Sequence, residues 1–132
     1  MIGSTSLGLV IMAVADLPRA QAFYASTFGW AMDVDTPVYV EFRLPAGMRL
    51  GLYRREGFAR NVGVAPAEVP PGAVAATELY LFPADLDAAI ERAVAAGGRL
   101  LSALAGRDWG DDVAYLADPD GIVIALARSS GG

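Results

Sequence analysis

The chain contains neither cysteine nor histidine, and all ten of its basic residues are arginine. Without cysteine there are no disulfides, no thiolate nucleophile and no cysteine metal centre. Lack of histidine removes the usual general base near neutral pH and the commonest transition-metal ligand. The missing lysine rules out a Schiff-base nucleophile. Chemistry is therefore left to Asp, Glu, Tyr, Ser, Thr, Arg and backbone groups. Positive charge is also scarce: the formal net charge of −5 argues against a nucleic-acid partner, which would require a basic face. Long apolar runs are absent as well. The longest, from Leu7 to Ala15, is about half of the ~20 residues that span a bilayer, so no membrane partner is expected. Ala13-Val14-Ala15 resembles a signal-peptidase site, yet no Lys or Arg precedes it and its apolar stretch is short. The segment reads as a buried strand, and the protein as cytoplasmic.

What is present suffices for a core: 132 residues, 55% of them hydrophobic. An internal repeat organises the chain. Segment 7 to 15 is apolar throughout, then Asp16 caps a helix, "DLPRAQAFYASTF", that Gly29 ends. Segment 77 to 82 repeats the plan with Asp85 as cap, the helix "DLDAAIERAVAA" and a stop at Gly97-Gly98. The two copies lie 69 positions apart, Asp16 matching Asp85 and Gly29 matching Gly98. Each helix leads into strand material and a hairpin with a Pro-x-Gly turn, "VYVEFRLPAGMRLGLYR" and "DVAYLADPDGIVIALAR", 74 positions apart.

The expected fold is therefore α+β, two tandem βαβββ modules forming a curved, mostly antiparallel mixed sheet with helices on the outside. Residues 1–54 make the first module and 77–129 the second, within one domain spanning about 5–129. The stretch 55–76 reads as a long, loop-like linker that crosses between modules or partners. A three-residue Pro-x-Gly loop pairs Leu44 with Met48 and Asp118 with Ile122. Alternation then puts Val40, Phe42, Leu50 and Leu52 on one face, and Tyr39, Glu41, Arg49, Gly51 and Tyr53 on the other. The first face suits a covering helix; the second, mixed and aromatic, suits a ligand groove. In the second module Ala114, Leu116, Ile124 and Leu126 oppose Val113, Tyr115, Val123 and Ala125.

The stretches "VADLPRAQAFYASTFGW", "PADLDAAIERAVAAGGRLLSAL" and "RDWGDDVAYLADPDGIVIALA" resemble the vicinal oxygen chelate superfamily, which holds glyoxalase I, bleomycin-resistance proteins and extradiol dioxygenases. The resemblance covers nearly the whole chain and implies the two-module fold. In metal-dependent members, His or Glu side chains from strands of both modules hold a divalent ion. Carried over by strand position, those sites fall on Leu9, Gly51, Glu78 and Ala125. Three of the four cannot coordinate through a side chain, so no metal and no cofactor are expected.

Of the residues read onto the groove, Glu78 and Glu41 are the candidate catalytic groups, each either a polar anchor or a general base. Tyr39, Tyr53, Tyr80, Tyr115 and Trp109 are candidate ligand-binding walls favouring a flat or cationic organic molecule. Arg49 would instead attract a carboxylate or phosphate. Phe23, Tyr24, Phe28 and Trp30 read as core packing.

The function expected from the bleomycin-resistance branch is binding of a small hydrophobic or cationic molecule in a metal-free cleft. Two alternatives remain: a cofactor-independent lyase or isomerase with a Glu base, in which a Tyr hydroxyl or Arg49 steadies an oxyanion, and a non-catalytic interaction module. Relatives of this length commonly form homodimers, so a homodimer is the expected assembly.

Overall fold

A computed structural model of the chain describes residues 1–131. In chain order it contains β1 (Val10–Val14), α1 (Leu17–Phe28), β2 (Ala31–Asp35), β3 (Tyr39–Arg43), β4 (Arg49–Arg54), α2 (Arg55–Val62), β5 (Glu78–Leu81), α3 (Leu86–Ala95), β6 (Arg99–Gly106), β7 (Asp111–Ala117) and β8 (Val123–Ser129). Two four-stranded mixed sheets result, ordered β1-β4-β3-β2 and β5-β8-β7-β6. In each, the first strand runs parallel to the last and the remaining pairs are antiparallel. The fold is the expected α+β arrangement of two βαβββ modules.

Local chemistry explains the boundaries. Asp16 accepts the Arg19 amide at 3.0 Å and Asp85 accepts the Ala88 amide at 3.1 Å, each satisfying one of the orphan donors at a helix start. The hairpins close as their turns demand. The Leu44 amide bonds the Met48 carbonyl at 2.8 Å and the Asp118 amide bonds Ile122 at 2.9 Å. Gly47 and Gly121 sit at φ of 83° and 85°, left-handed values that disfavour residues with a Cβ.

Register carries the repeat into three dimensions. Ile11, Gly51 and Glu41 lie side by side across the first sheet, and Tyr80, Ala125 and Tyr115 lie side by side across the second. The offsets of 69 and 74 read from the sequence relate the two rows. Val40, Phe42, Leu50 and Leu52 are buried in the first sheet, as are Ala114, Leu116, Ile124 and Leu126 in the second.

The chain divides into two compact units, residues 1–21 with 30–66, and residues 22–29 with 67–132. Helix α1 thus contributes its later turns to the unit that holds the second sheet. Three contacts within that unit account for it. The Tyr24 hydroxyl donates to Asp118 Oδ2 at 2.6 Å, in the β7–β8 turn. Arg92 Nε, on α3, donates to the Thr27 carbonyl at 2.9 Å, one of the carbonyls a helix C-terminus leaves open. Phe23 packs so close to Gly98 that a Cβ there would lie 3.1 Å from the ring. Phe23 and Tyr24 are fully buried, which agrees with their expected core role.

One expectation needs correcting: the stretch 55–76 is not loop throughout, since its first eight residues form α2. Glu56 in the first turn and Arg60 in the last both complement the helix dipole, and Gly63 ends the helix in a left-handed conformation. Phe58 and Val62 supply a single i,i+4 apolar pair, too short a period to stand out among the prolines and glycines that follow. Within its unit α2 packs against β4 and β1. Among the described residues no helix is long and apolar enough to cross a membrane.

Candidate functional site

The mixed face of the first sheet gathers five of the residues singled out in the sequence. Strand β3 projects Tyr39 and Glu41 to this side, and β4 projects Arg49, Gly51 and Tyr53. Glu41 is only 7% exposed, and both of its oxygens are engaged. Oε1 accepts the Tyr39 hydroxyl at 2.6 Å and Oε2 accepts Arg49 Nη1 at 3.0 Å. A buried carboxylate needs such partners, because leaving it unpaired costs several kcal/mol, on the order of the desolvation penalty. The pairing also withdraws Glu41 from service as a free base. Tyr39 meets Tyr53 edge to face with ring centroids 5.4 Å apart. Tyr53 in turn crosses Gly57 of α2, where a Cβ would strike its ring, and its hydroxyl accepts Asn61 Nδ2 at 3.1 Å.

Gly51 lies at the centre of this face. A Cβ built on it would fall on the Tyr39 hydroxyl, with Cε1 and Cζ of the same ring 2.8 Å away. The space a metal-ligating side chain would need at this position is therefore taken by a phenol bonded to Glu41.

On the second sheet the corresponding face has a floor of small side chains. Val113, Ala125 and Ala127 are fully buried, with Tyr80 and Tyr115 packed against them. The Tyr80 hydroxyl donates to Asp111 Oδ2 at 2.5 Å and accepts Trp109 Nε1 at 2.9 Å, so the β6–β7 turn is tied to the start of β7 and to β5. Trp109 is 56% exposed and so does not fill the core. Phe82 meets Tyr80 edge to face at 5.5 Å and is also exposed. Beside Tyr115, the Arg107 guanidinium lies 5.1 Å from the ring centroid. Glu78 shares a face with Tyr80 but sits exposed at the first position of β5, away from these bonds.

The structure thus brings together Tyr39, Glu41, Arg49 and Tyr53 in one unit, and Tyr80, Trp109 and Tyr115 in the other. It leaves Glu78 on open surface. Asp111 and Arg107 were missed in the sequence. Asp111 could have been found by running the Val113–Tyr115 alternation two residues back; Arg107 belongs to a turn, where alternation gives no direction.

Three phenols are held protonated. Burial, then the hydrogen bond and charge of Glu41, push Tyr39 well above its ordinary value near 10, against a smaller opposing pull from Arg49. Tyr24 is raised by burial and then by the Asp118 charge. Tyr80 is raised by desolvation and then by its bond to Asp111. The unfolded chain releases these protons near pH 10 while the folded chain keeps them, so above that pH the native state binds more protons and stability falls as pH rises. Urea midpoints are expected to drop between about pH 9 and pH 11. A midpoint that stays flat across this range would contradict the assigned hydrogen bonds.

The donor set does not fit a divalent ion. Of Leu9, Gly51, Glu78 and Ala125, only Glu78 carries a ligating side chain. Gly51 is overlain by Tyr39, and Ala125 is sealed between Tyr80 and Tyr115. Among the described residues no group of three or more His, Asp or Glu side chains is placed to hold a metal.

Two βαβββ modules in tandem, each a four-stranded mixed sheet, are the architecture of the vicinal oxygen chelate class of proteins. The chain belongs to the glyoxalase-like domain family, whose model matches residues 9–127. It is 30% identical over 127 residues to the "Putative glyoxylase CFP32" of Mycobacterium bovis, covering 92% of this chain but 44% of that protein. The chain thus spans less than half the length of this curated relative. Among solved structures, a glyoxalase-related enzyme from Fulvimarina pelagi superposes with a TM-score of 0.82 at 26% identity, covering 94% of this chain and 88% of that one. A glyoxalase/bleomycin resistance protein/dioxygenase from Nocardioides gives 0.79 at 23% identity, covering 100% and 88%, a likeness of fold.

Proposed function

We propose that the chain binds a small, largely apolar organic molecule in a module cleft without a metal ion, in the manner expected of the bleomycin-resistance branch. The observation that carries this reading is the Tyr39 hydroxyl lying where a Gly51 side chain would project, bonded to a Glu41 that Arg49 also neutralises. A position that serves coordination in metal-dependent relatives has become part of an aromatic wall. Tyr39, Tyr53, Tyr80, Trp109 and Tyr115 supply contact area, with Arg49 at the edge of the first set. Such walls favour a flat guest by area burial and by edge-to-face ring contacts. A homodimer and cytoplasmic residence belong to the same reading.

A second reading, the non-catalytic interaction module, draws support from Val113, Ala125 and Ala127, which are already covered in the free chain. A lyase or isomerase would rest on Glu78 alone as base, because both Glu41 oxygens are engaged.

A thermal-shift screen of aromatic and cationic small molecules, each with and without EDTA, tests the proposal. A ligand at a hundred times its Kd adds about 2.7 kcal/mol, a rise of roughly 10 °C in Tm for a chain of this size. The expected hits keep their shift when EDTA is added. Stabilisation by micromolar Zn, Mn, Ni or Fe with no organic compound present would overturn the metal-free reading, and silence with every compound would put the interaction module ahead.

A further inference from the structure

The sign of a ligand's charge can be read from which charged groups on these faces keep buried hydrogen-bonding capacity unused. Glu41 is neutralised by Arg49. Asp111 accepts the Tyr80 hydroxyl, and Glu78 is solvated on open surface, where water screens it. Arg107 is different. Its guanidinium is half-buried on the Tyr115 side of the second sheet, because Ser102, whose hydroxyl it contacts, pairs with Tyr115 across β6 and β7. One nitrogen, Nη2, donates to Ser102 Oγ at 3.1 Å, the Ala103 carbonyl at 3.1 Å and the Val113 carbonyl at 2.8 Å. All three acceptors are neutral. Among the described residues no carboxylate pairs with Arg107. Its Nε is enclosed with no hydrogen-bond acceptor among the described residues, an arrangement that disfavours the fold. Bracing of the β6–β7 turn uses Nη2 and leaves the rest of the guanidinium without a protein acceptor among the described residues.

We infer that Arg107 is an anion-recognition residue, and that the ligand of the second sheet's face carries a carboxylate beside an aromatic or apolar body. The inference rests on the proposed ligand binding and deepens it. The side-chain bonds of Arg107 all run through Nη2, and among the described residues no acceptor meets Nη1; a carboxylate meeting it forms a charge-assisted hydrogen bond. The body of the same molecule lies against the outer side of Tyr80 and Tyr115, which already cover the Val113–Ala125–Ala127 floor, beside the exposed Trp109. The braced Nη2 and the Tyr115 ring fix the guanidinium before the ligand arrives, so little side-chain freedom is lost on binding.

The test uses phenylacetate, its neutral amide phenylacetamide and the cation benzyltrimethylammonium as probes of the full chain. Binding is read by calorimetry and by quenching of tryptophan fluorescence, in the native protein and in Arg107→Gln and Arg107→Lys. Phenylacetate is expected to bind at least tenfold more tightly than the amide. Arg107→Gln should erase that preference while leaving amide affinity within about twofold, and Arg107→Lys should restore part of it. Far-ultraviolet circular dichroism of each variant separates misfolding from lost recognition, and Arg107→Lys keeps the test usable if Arg107→Gln unfolds. Equal affinity for acid and amide, or a preference for the cation, overturns the assignment of Arg107 while leaving ligand binding intact. No binding by any of the three overturns both.

Discussion

Replacing Asp118 by alanine is expected to destabilise the fold by about 3–5 kcal/mol, because one side chain satisfies three donors in a place that water barely reaches. Oδ2 accepts the Tyr24 hydroxyl at 2.6 Å, and Oδ1 accepts the Asp120 amide at 2.9 Å and the Ile122 amide at 2.8 Å. Asp118 is buried, and Tyr24 is fully so. Alanine would orphan the phenol and loosen the turn that sets the β7–β8 register. Asparagine keeps an acceptor for the two amides and can donate to the phenol oxygen, so Asp118→Asn should lose only about 1 kcal/mol. Tyr24→Phe should lose a similar amount, and the double change should be markedly less than additive. Urea unfolding followed by circular dichroism measures all of these. A loss under 1 kcal/mol for Asp118→Ala would mean that the turn holds itself without the carboxylate.

The same residue gives a signed acid dependence. Burial raises the Asp118 carboxyl above its ordinary value, although the bonds from Tyr24, Ile122 and Asp120 pull it back in part. A raised carboxyl binds its proton more readily in the folded state, so this group's contribution falls as pH rises through the window just above its unfolded value. The stability of the native protein relative to Asp118→Asn should therefore decline on leaving the acid side of that window.

Much of this architecture was legible in the sequence. The Pro-x-Gly turns fixed the hairpin registers, and a two-residue alternation then named which of Tyr39, Val40, Glu41 and Phe42 faces which way. The caps at Asp16 and Asp85 announced both long helices. What lay beyond reach was any choice between partners of equal local standing. An amphipathic α1 buries one stripe, and nothing in its period says that Tyr24 closes on a turn 94 residues away. Parity put Glu41 and Arg49 on one face but could not tell a free base from a neutralised one; that depended on Arg49 reaching the strand neighbour of Gly51. Turn residues were least legible, because the directions of Arg107 and Trp109 follow from bonds to Val113 and Tyr80 and not from strand geometry.

Gly51 offers the most direct probe of whether the first face has room for a side chain at its centre. Its backbone is ordinary strand, so an alanine there would normally help by about 0.4–1 kcal/mol through a less flexible unfolded chain. In this fold the sign should reverse. The new Cβ displaces the Tyr39 ring, breaking its bond to the Glu41 carboxylate, which is worth about 1.5–3 kcal/mol, and its edge contact with Tyr53, worth about 0.5–1.5 kcal/mol. The net expectation for Gly51→Ala is a loss of about 2–3 kcal/mol. In a Tyr39→Ala background the obstruction is gone, and the same substitution should be neutral or stabilising. Denaturant unfolding of the four proteins in this cycle yields the coupling directly. If Gly51→Ala costs the same with and without Tyr39, the phenol does not stand in the way of a side chain at this position. The face would then be open to a ligating residue, and the metal-free reading would lose its main support.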